Sequence, residues 1–210
     1  SVRGSPGADD NASGVAAVLE LARWWQTIES PSRTVRFVCF ANEEHPFFQT
    51  EAMGSRRHAE RARERGEDIV AMLSLEMLGY YREAPGTQSY PIGLGWFYPE
   101  RGDFVAFVGN LSSRGVVRRS IGAFRDVARH PSEGLAAPSF VPGVGLSDHR
   151  AFWQVDYEAI MVTDTAFFRN PHYHEPTDRP ETLDYERMAH VVEGLQAVVE
   201  TWGRPGARSR

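Results

Sequence analysis

Four short apolar runs constrain this chain most. Thr34 to Ala41, Ile69 to Leu75, Phe104 to Val108 and Ala159 to Thr163 are nearly continuous in apolar character and rich in Val, Ile, Phe and Met. They do not alternate with polar residues, so each suits a strand covered on both faces, as in a parallel sheet. Between them lie helical patterns over residues 14–29, 49–65, 112–129 and 182–202. In the first of these, Val15, Val18, Leu19 and Ala22 recur at i, i+3, i+4 and i+7. Strands alternating with helices imply an α/β sandwich with a mostly parallel sheet. The Gly-, Pro- and Tyr-rich stretch 79–102 reads as an irregular excursion, long enough to carry function. Residues 135–146, rich in Pro and Gly, have room for one short strand, and 151–153 for a short helix. With no internal repeat, the chain reads as one domain over residues 1–203 and a frayed tail over 204–210.

Composition narrows the partners. The net charge of −5 disfavours nucleic acid. No apolar run approaches the roughly 18 residues of a membrane span. The single cysteine, Cys39, lies inside the first apolar run and reads as a small buried hydrophobe.

Acidic residues and histidines gather where the predicted strands end. Gly7-Ala8-Asp9-Asp10-Asn11-Ala12-Ser13-Gly14 is a small-residue loop directly before a helix, with Asn11 or Ser13 as its cap. Asn42-Glu43-Glu44 follows the first apolar run, Glu76 the second, and Asn170-Pro171-His172-Tyr173-His174 the last, while Asp148-His149 follows the Pro/Gly-rich segment. In open α/β sheets that edge is where sites form. Carboxylates converging there would repel one another unless a cation joined them. A mixed carboxylate and imidazole set favours zinc or a related transition metal over calcium. Two adjacent glutamates suggest divided labour, one binding metal and the other acting as a base toward water.

These motifs, in this order, resemble the co-catalytic zinc aminopeptidases of metallopeptidase clan MH, whose fold is shared with glutamate carboxypeptidase, transferrin receptor and the glutaminyl cyclases. The resemblance spans essentially the whole chain and implies a three-layer α/β sandwich with a mixed sheet and a peptide substrate. It implies that Asp10 bridges two zinc ions, that Glu44 and His174 complete the site of one, and that Glu76 serves the other. It also implies Glu43 as the general base, Tyr173 as a donor to the oxyanion, and Asp9 and Asp148 as supporting residues behind the ligands. A secreted or extracytoplasmic location is slightly favoured by the resemblance alone. One departure stands out: the family carries a His-x-Asp motif shortly before the Asp-Asp loop, supplying a ligand of the first zinc. This chain begins after that point, so an N-terminally truncated enzyme is expected, with one zinc site complete.

Plainer readings apply to other residues. His172 is the weaker alternative to His174. His149 reads as a hydrogen-bonded wall residue, His45 as a turn residue, and His58, His130 and His190 as surface residues. Phe47, Phe48, Phe152, Trp153, Phe167 and Phe168 read mainly as core, with one or two lining a substrate pocket. Two other functions remain open: a single-zinc glutaminyl cyclase, for which Asp10, Glu44 and His174 would suffice, and a non-catalytic member of the fold.

Overall fold

The structure is a computed structural model that describes residues 2–91 and 93–204. Four strands form one sheet: β1 (Met72–Glu76), β2 (Val105–Gly109), β3 (Ser132–Ala136) and β4 (Ala159–Thr163), in the spatial order β1-β4-β2-β3. The β1–β4 and β2–β3 pairs are parallel and the central β4–β2 pair is antiparallel, so the sheet is mixed and mostly parallel. Among the described residues, five α-helices cover it: α1 (Gly14–Trp25), α2 (Gly54–Glu64), α3 (Arg114–Arg125), α4 (His149–Trp153) and α5 (Tyr185–Gly203).

The alternating strand positions divide the core into two layers. Val105, Phe107, Ile160 and Val162 face α1, α3 and α5, where Leu21, Val117, Phe124, Val191 and Leu195 pack against them. Gly194 lets α5 approach α3 closely, because a Cβ there would stand 2.4 Å from the Phe124 ring. On the opposite face Ala106, Val108 and Met161 pack with Phe104 and Val144. Beside them Ala159 meets Phe152 of α4 and Ala59 and Ala62 of α2. The result is the three-layer arrangement expected of an α/β sandwich.

Helix ends follow local chemistry. Asp184 caps α5 by accepting the Arg187 N–H at 3.1 Å. At α1 it is the Asn11 side chain that accepts the Gly14 N–H, at 3.2 Å, while Ser13 makes no capping bond.

Several expectations need correction. Residues 34–40 belong to no helix or strand. Apolar character placed them in the sheet, but a strand also needs a hydrogen-bonding neighbour. Here a cleft of about 570 Å³ separates Val38, Cys39 and Phe40 from Met72 to Leu75 of β1. Cys39 is therefore exposed, not buried. The strand in the Pro/Gly-rich region starts earlier than expected, at Ser132. His130 is buried, its ring 4.6 Å from that of Tyr81. Phe47 and Phe167 are exposed. The predicted helix over 49–65 starts at Gly54. Of the expected tail, residues 205–210 lie outside the described residues.

Candidate metal centre

The Asp9-Asp10 loop is held from beneath by a buried carboxylate. The Asp9 and Asp10 N–H groups donate to the two oxygens of Asp178, at 2.9 and 3.1 Å. Asp9 turns inward, accepting from the Gly79 N–H at 2.9 Å, Asn170 Nδ2 at 2.7 Å and the Ser13 hydroxyl at 3.1 Å. Burial raises its pKa, against these hydrogen bonds, which lower it. It thus ties three loops together and leaves Asp10 to face the crevice. Neighbouring Asp164, also fully buried, accepts the Tyr80 and Ala166 N–H groups at 2.9 Å each.

Asn42 turns the chain after the first apolar run with φ +60°, a conformation Asn tolerates better than most residues, and delivers Glu43 and Glu44 to the same crevice. The third arm is the 170–174 loop, where His174 has φ +62°. Asn170 Oδ1 accepts the His172 N–H at 2.9 Å and fixes the turn. The His172 ring points elsewhere, with Nδ1 2.9 Å from Thr177 Oγ1 and its ring edge against Tyr80.

These arms bring Asp10, Glu44 and His174 together, each offering a ligand atom within 4.8 Å of the others. His174 Nε2 stands 3.1 Å from Asp10 Oδ2 and 3.4 Å from Glu44 Oε2. Asp10 Oδ2 and His174 Nε2 are buried and make no hydrogen bond. Two buried polar atoms aimed at each other in this way suit a shared cation. Donors bound to one zinc at about 2.0–2.2 Å would stand roughly 3.3–3.6 Å apart, close to the spacing here. The donor set fits zinc in kind, number and spacing.

The remaining acidic residues surround this triad without joining it. Glu76, the last residue of β1, accepts the Ser147 hydroxyl at 2.7 Å. Burial and the nearby Glu43 raise its pKa well above the usual carboxylate range. Glu43 is pushed up to about 8, by burial first and then by Asp148, Glu44 and Asp10. Asp10 is pushed up to about 7 by burial and by Glu44, and Asp148, at the start of α4, to about 6 by burial. Such mutual repulsion is what a bound cation relieves. Tyr173 stacks on His174 at 3.8 Å between ring centroids. Burial, then Asp10, Glu44 and other site carboxylates, raise its pKa, keeping the phenol protonated as a donor.

His149 is buried away from the triad, its Nε2 2.8 Å from the Val144 carbonyl, and burial depresses its pKa to about 4. Sequence reasoning missed Asp164, Asn170 and Asp178. Asp164 directly follows a strand, and Asn170 and Asp178 each lie four residues from His174. Those positions were the available signal.

An apolar pocket of about 390 Å³ opens from the triad, with Phe104, Ala106, Val108, Val144 and Met161 among its walls.

Comparison with known proteins agrees with this geometry. The chain is 46% identical over 192 residues to the uncharacterised protein YfbL of Escherichia coli, covering 91% of this chain and 58% of that protein. It is 26% identical over 198 residues to leucine aminopeptidase 1 of Ajellomyces dermatitidis, covering 90% of this chain and 45% of that one. Its fold matches the aminopeptidase of Aneurinibacillus sp. strain AM-1 with a TM-score of 0.70 at 23% identity, over 98% of this chain and 42% of that one. The chain thus spans about half the length of the curated relatives it matches. The family model of peptidase family M28 matches residues 1–199, and the chain belongs to that family.

Proposed function

We propose that this chain carries the catalytic centre of a zinc-dependent exopeptidase that removes the N-terminal residue of peptides. The observation that carries the reading is the Asp10–Glu44–His174 triad, with two buried ligand atoms lacking hydrogen bonds, set between a raised-pKa glutamate and an apolar pocket. Asp10, Glu44 and His174 would hold one zinc, and Asp10 with Glu76 would contribute to a second. Bound there, zinc supplies Lewis-acid polarisation of the scissile carbonyl and makes water more acidic.

The chain's own residues do the rest. Glu43 takes a proton from the attacking water and returns it to the leaving amine. Its raised pKa is drawn down by a neighbouring cation toward the neutral range suited to a base. The Tyr173 hydroxyl donates to the oxygen that gains charge as the carbonyl becomes tetrahedral. Stacking on His174 holds that ring beside the ligands.

One observation favours a single-zinc glutaminyl cyclase as a second reading: Glu76 stands outside the triad. Two assays separate the readings. Release of free amino acids from unblocked peptides, with none from N-acetylated ones, is expected of the exopeptidase. Cyclisation of N-terminal Gln without such release supports the cyclase. Metal analysis after dialysis should find zinc in the protein and lose it in His174→Ala but not in His172→Ala. Zinc retained by His174→Ala would remove the basis for both readings.

A further inference from the structure

We propose that the pocket beside the triad selects a long N-terminal side chain with a positive end, arginine foremost, and that Glu133 of β3 receives its charge. The inference rests on the exopeptidase reading above and names the substrate class of the same site.

Sheet register supplies the geometry. Glu76 of β1 pairs with Thr163 of β4, Thr163 with Ala106 of β2, and Ala106 with Glu133 of β3. Residues in register on neighbouring strands project from the same face of a sheet. Glu76 and Glu133 therefore mark two ends of one row, three inter-strand steps or about 14 Å apart. Between them the floor is apolar: Ala106 from that row, then Met161 and Val108 from the next row on the same face. A side chain entering from the triad meets aliphatic surface first and a carboxylate last. An extended arginine, about 7 Å from Cα to guanidinium by bond lengths of the kind that set chain dimensions, matches that order and covers about half of that length, so it reaches the Glu133 end from a Cα seated midway along the row.

Charge points the same way. The pocket lining includes the carboxylates of Asp10, Glu43, Glu44, Glu76 and Glu133, and no arginine. The first four lie at the metal end. Glu133 is the carboxylate a metal there would not neutralise. It forms a long, half-exposed ion pair with Arg125, at 3.9 Å and without a hydrogen bond, which a substrate guanidinium would have to share or displace. The hydrogen bonds of the Arg125 guanidinium go to the Ser132 hydroxyl and carbonyl. Tyr90 and Tyr98 line the same end, their rings 5.9 Å apart, and the Tyr98 hydroxyl donates to the carbonyl of Gly134, next to Glu133, at 2.9 Å. A carboxylate and aromatic rings lining the same end of a pocket suit a guanidinium, which can pair with the one and stack on the other.

The test compares kcat/KM of the zinc-loaded protein for argininyl and norleucyl amides, whose stems are alike and whose ends differ in charge. The argininyl amide should be preferred, and E133Q, which removes the charge and leaves the tyrosine rings in place, should lower the arginine-to-norleucine ratio about threefold to fivefold, the scale of a partly exposed ion pair. A norleucyl preference that E133Q leaves in place overturns the proposal and assigns a purely apolar pocket. A second readout does not need turnover: calorimetric titration of argininamide and norleucinamide into the metal-free protein. Tighter argininamide binding that E133Q abolishes supports the proposal even if no amide is hydrolysed, an outcome that would sink the exopeptidase reading alone. Equal binding of the two amides overturns it.

Discussion

On one side of Glu76 the sheet continues through β4, β2 and β3; on the other, β1 faces the cleft that separates it from residues 38–40. Both cavities reach Asp10, Glu43, Glu44 and Glu76, so the metal centre sits on the seam between a closed flank and an open one. On the closed flank each strand has a partner, and the side chains of one face make a fixed apolar floor. On the open flank Asn11 stands in for a strand. Its amide donates to the Leu75 carbonyl at 2.9 Å and accepts the Met77 N–H at 3.0 Å, making one ladder-like rung on β1. Gly14 permits the close approach, since a Cβ there would lie 2.3 Å from the Leu75 oxygen. The two flanks are built for different work. The closed one shapes what enters the pocket. The open one controls how firmly the carboxylates are held.

The holding is unequal within the triad itself. Asp10 and His174 rest on the network of Asp9, Asn170 and Asp178, all buried. Glu43 and Glu44 follow a turn on the far wall of the cleft, where Gly54 N–H donates to the Ala41 carbonyl at 2.9 Å and Asn42 Nδ2 to the Ala52 carbonyl at 3.2 Å.

The largest expected effect separates the two adjacent glutamates. Glu43→Gln should keep zinc and lower kcat by about 10²–10⁴, the range for removing a general base. Glu44→Gln should lower zinc affinity instead. Metal content measured beside turnover decides. Normal turnover in zinc-bound Glu43→Gln would exchange or dissolve the roles assigned to the pair.

Next in size is the pH dependence of the metal-free protein. Asp10, Glu43 and Asp148 have folded-state pKa values raised to about 7, 8 and 6, above the ordinary values of 3.8, 4.5 and 3.8. Between the unfolded and folded values the native state binds more protons than the unfolded chain. These groups therefore give stability that is fully present below about pH 4 and is lost as pH rises through 6 to 8. Each contributes a slope of at most about 1.4 kcal/mol per pH unit in its window. With chelator present, Tm should fall from pH 5 to pH 8.5. Zinc, which takes ligands in their deprotonated form, should flatten or reverse that fall. A Tm of the chelated protein that rises across the same range would mean the seam is not electrostatically strained.

Asn11→Ala tests the open flank. It removes the rung on β1 and the cap on Gly14, and denaturant unfolding should show a loss of about 2 kcal/mol, the cost of leaving buried partners unmade. A loss under about 0.5 kcal/mol would show that β1 is held without it.

The two flanks were also unequally legible in the sequence. Residues 159–163 were read as a strand with the observed limits, and Phe104 to Val108 within one residue, because a strand paired on both sides is apolar throughout. Thr34 to Ala41 carries the same pattern and is neither a strand nor buried: with no hydrogen-bonding neighbour across the cleft, its apolar side chains stay exposed or half-exposed. At the site, Asp10, Glu44 and His174 were joined in sequence only by the family resemblance of their motifs, and the structure brings the three together. Asp164 and Asp178 escaped notice because a carboxylate that accepts backbone N–H groups looks, in sequence, like any loop acid. The pocket was invisible in sequence, since Ala106, Met161 and Glu133 share a face only through pairing register.

The smallest effect tests whether the closed flank discriminates among side chains. Ala106 lies midway along the row between Thr163 and Glu133 and is nearly buried. Ala106→Phe would fill the trough while leaving Asp10, Glu43, Glu44 and His174 in place. Long side chains should then lose kcat/KM by about tenfold relative to alanyl amides, mostly through KM, because the change removes binding common to ground state and transition state. Zinc content and the base-dependent pH limb of kcat should stay as they were. Equal losses for alanyl and argininyl amides, or a fall confined to kcat, would mean that Ala106 supports the metal centre and not the trough. The division of work between the two flanks would then fail.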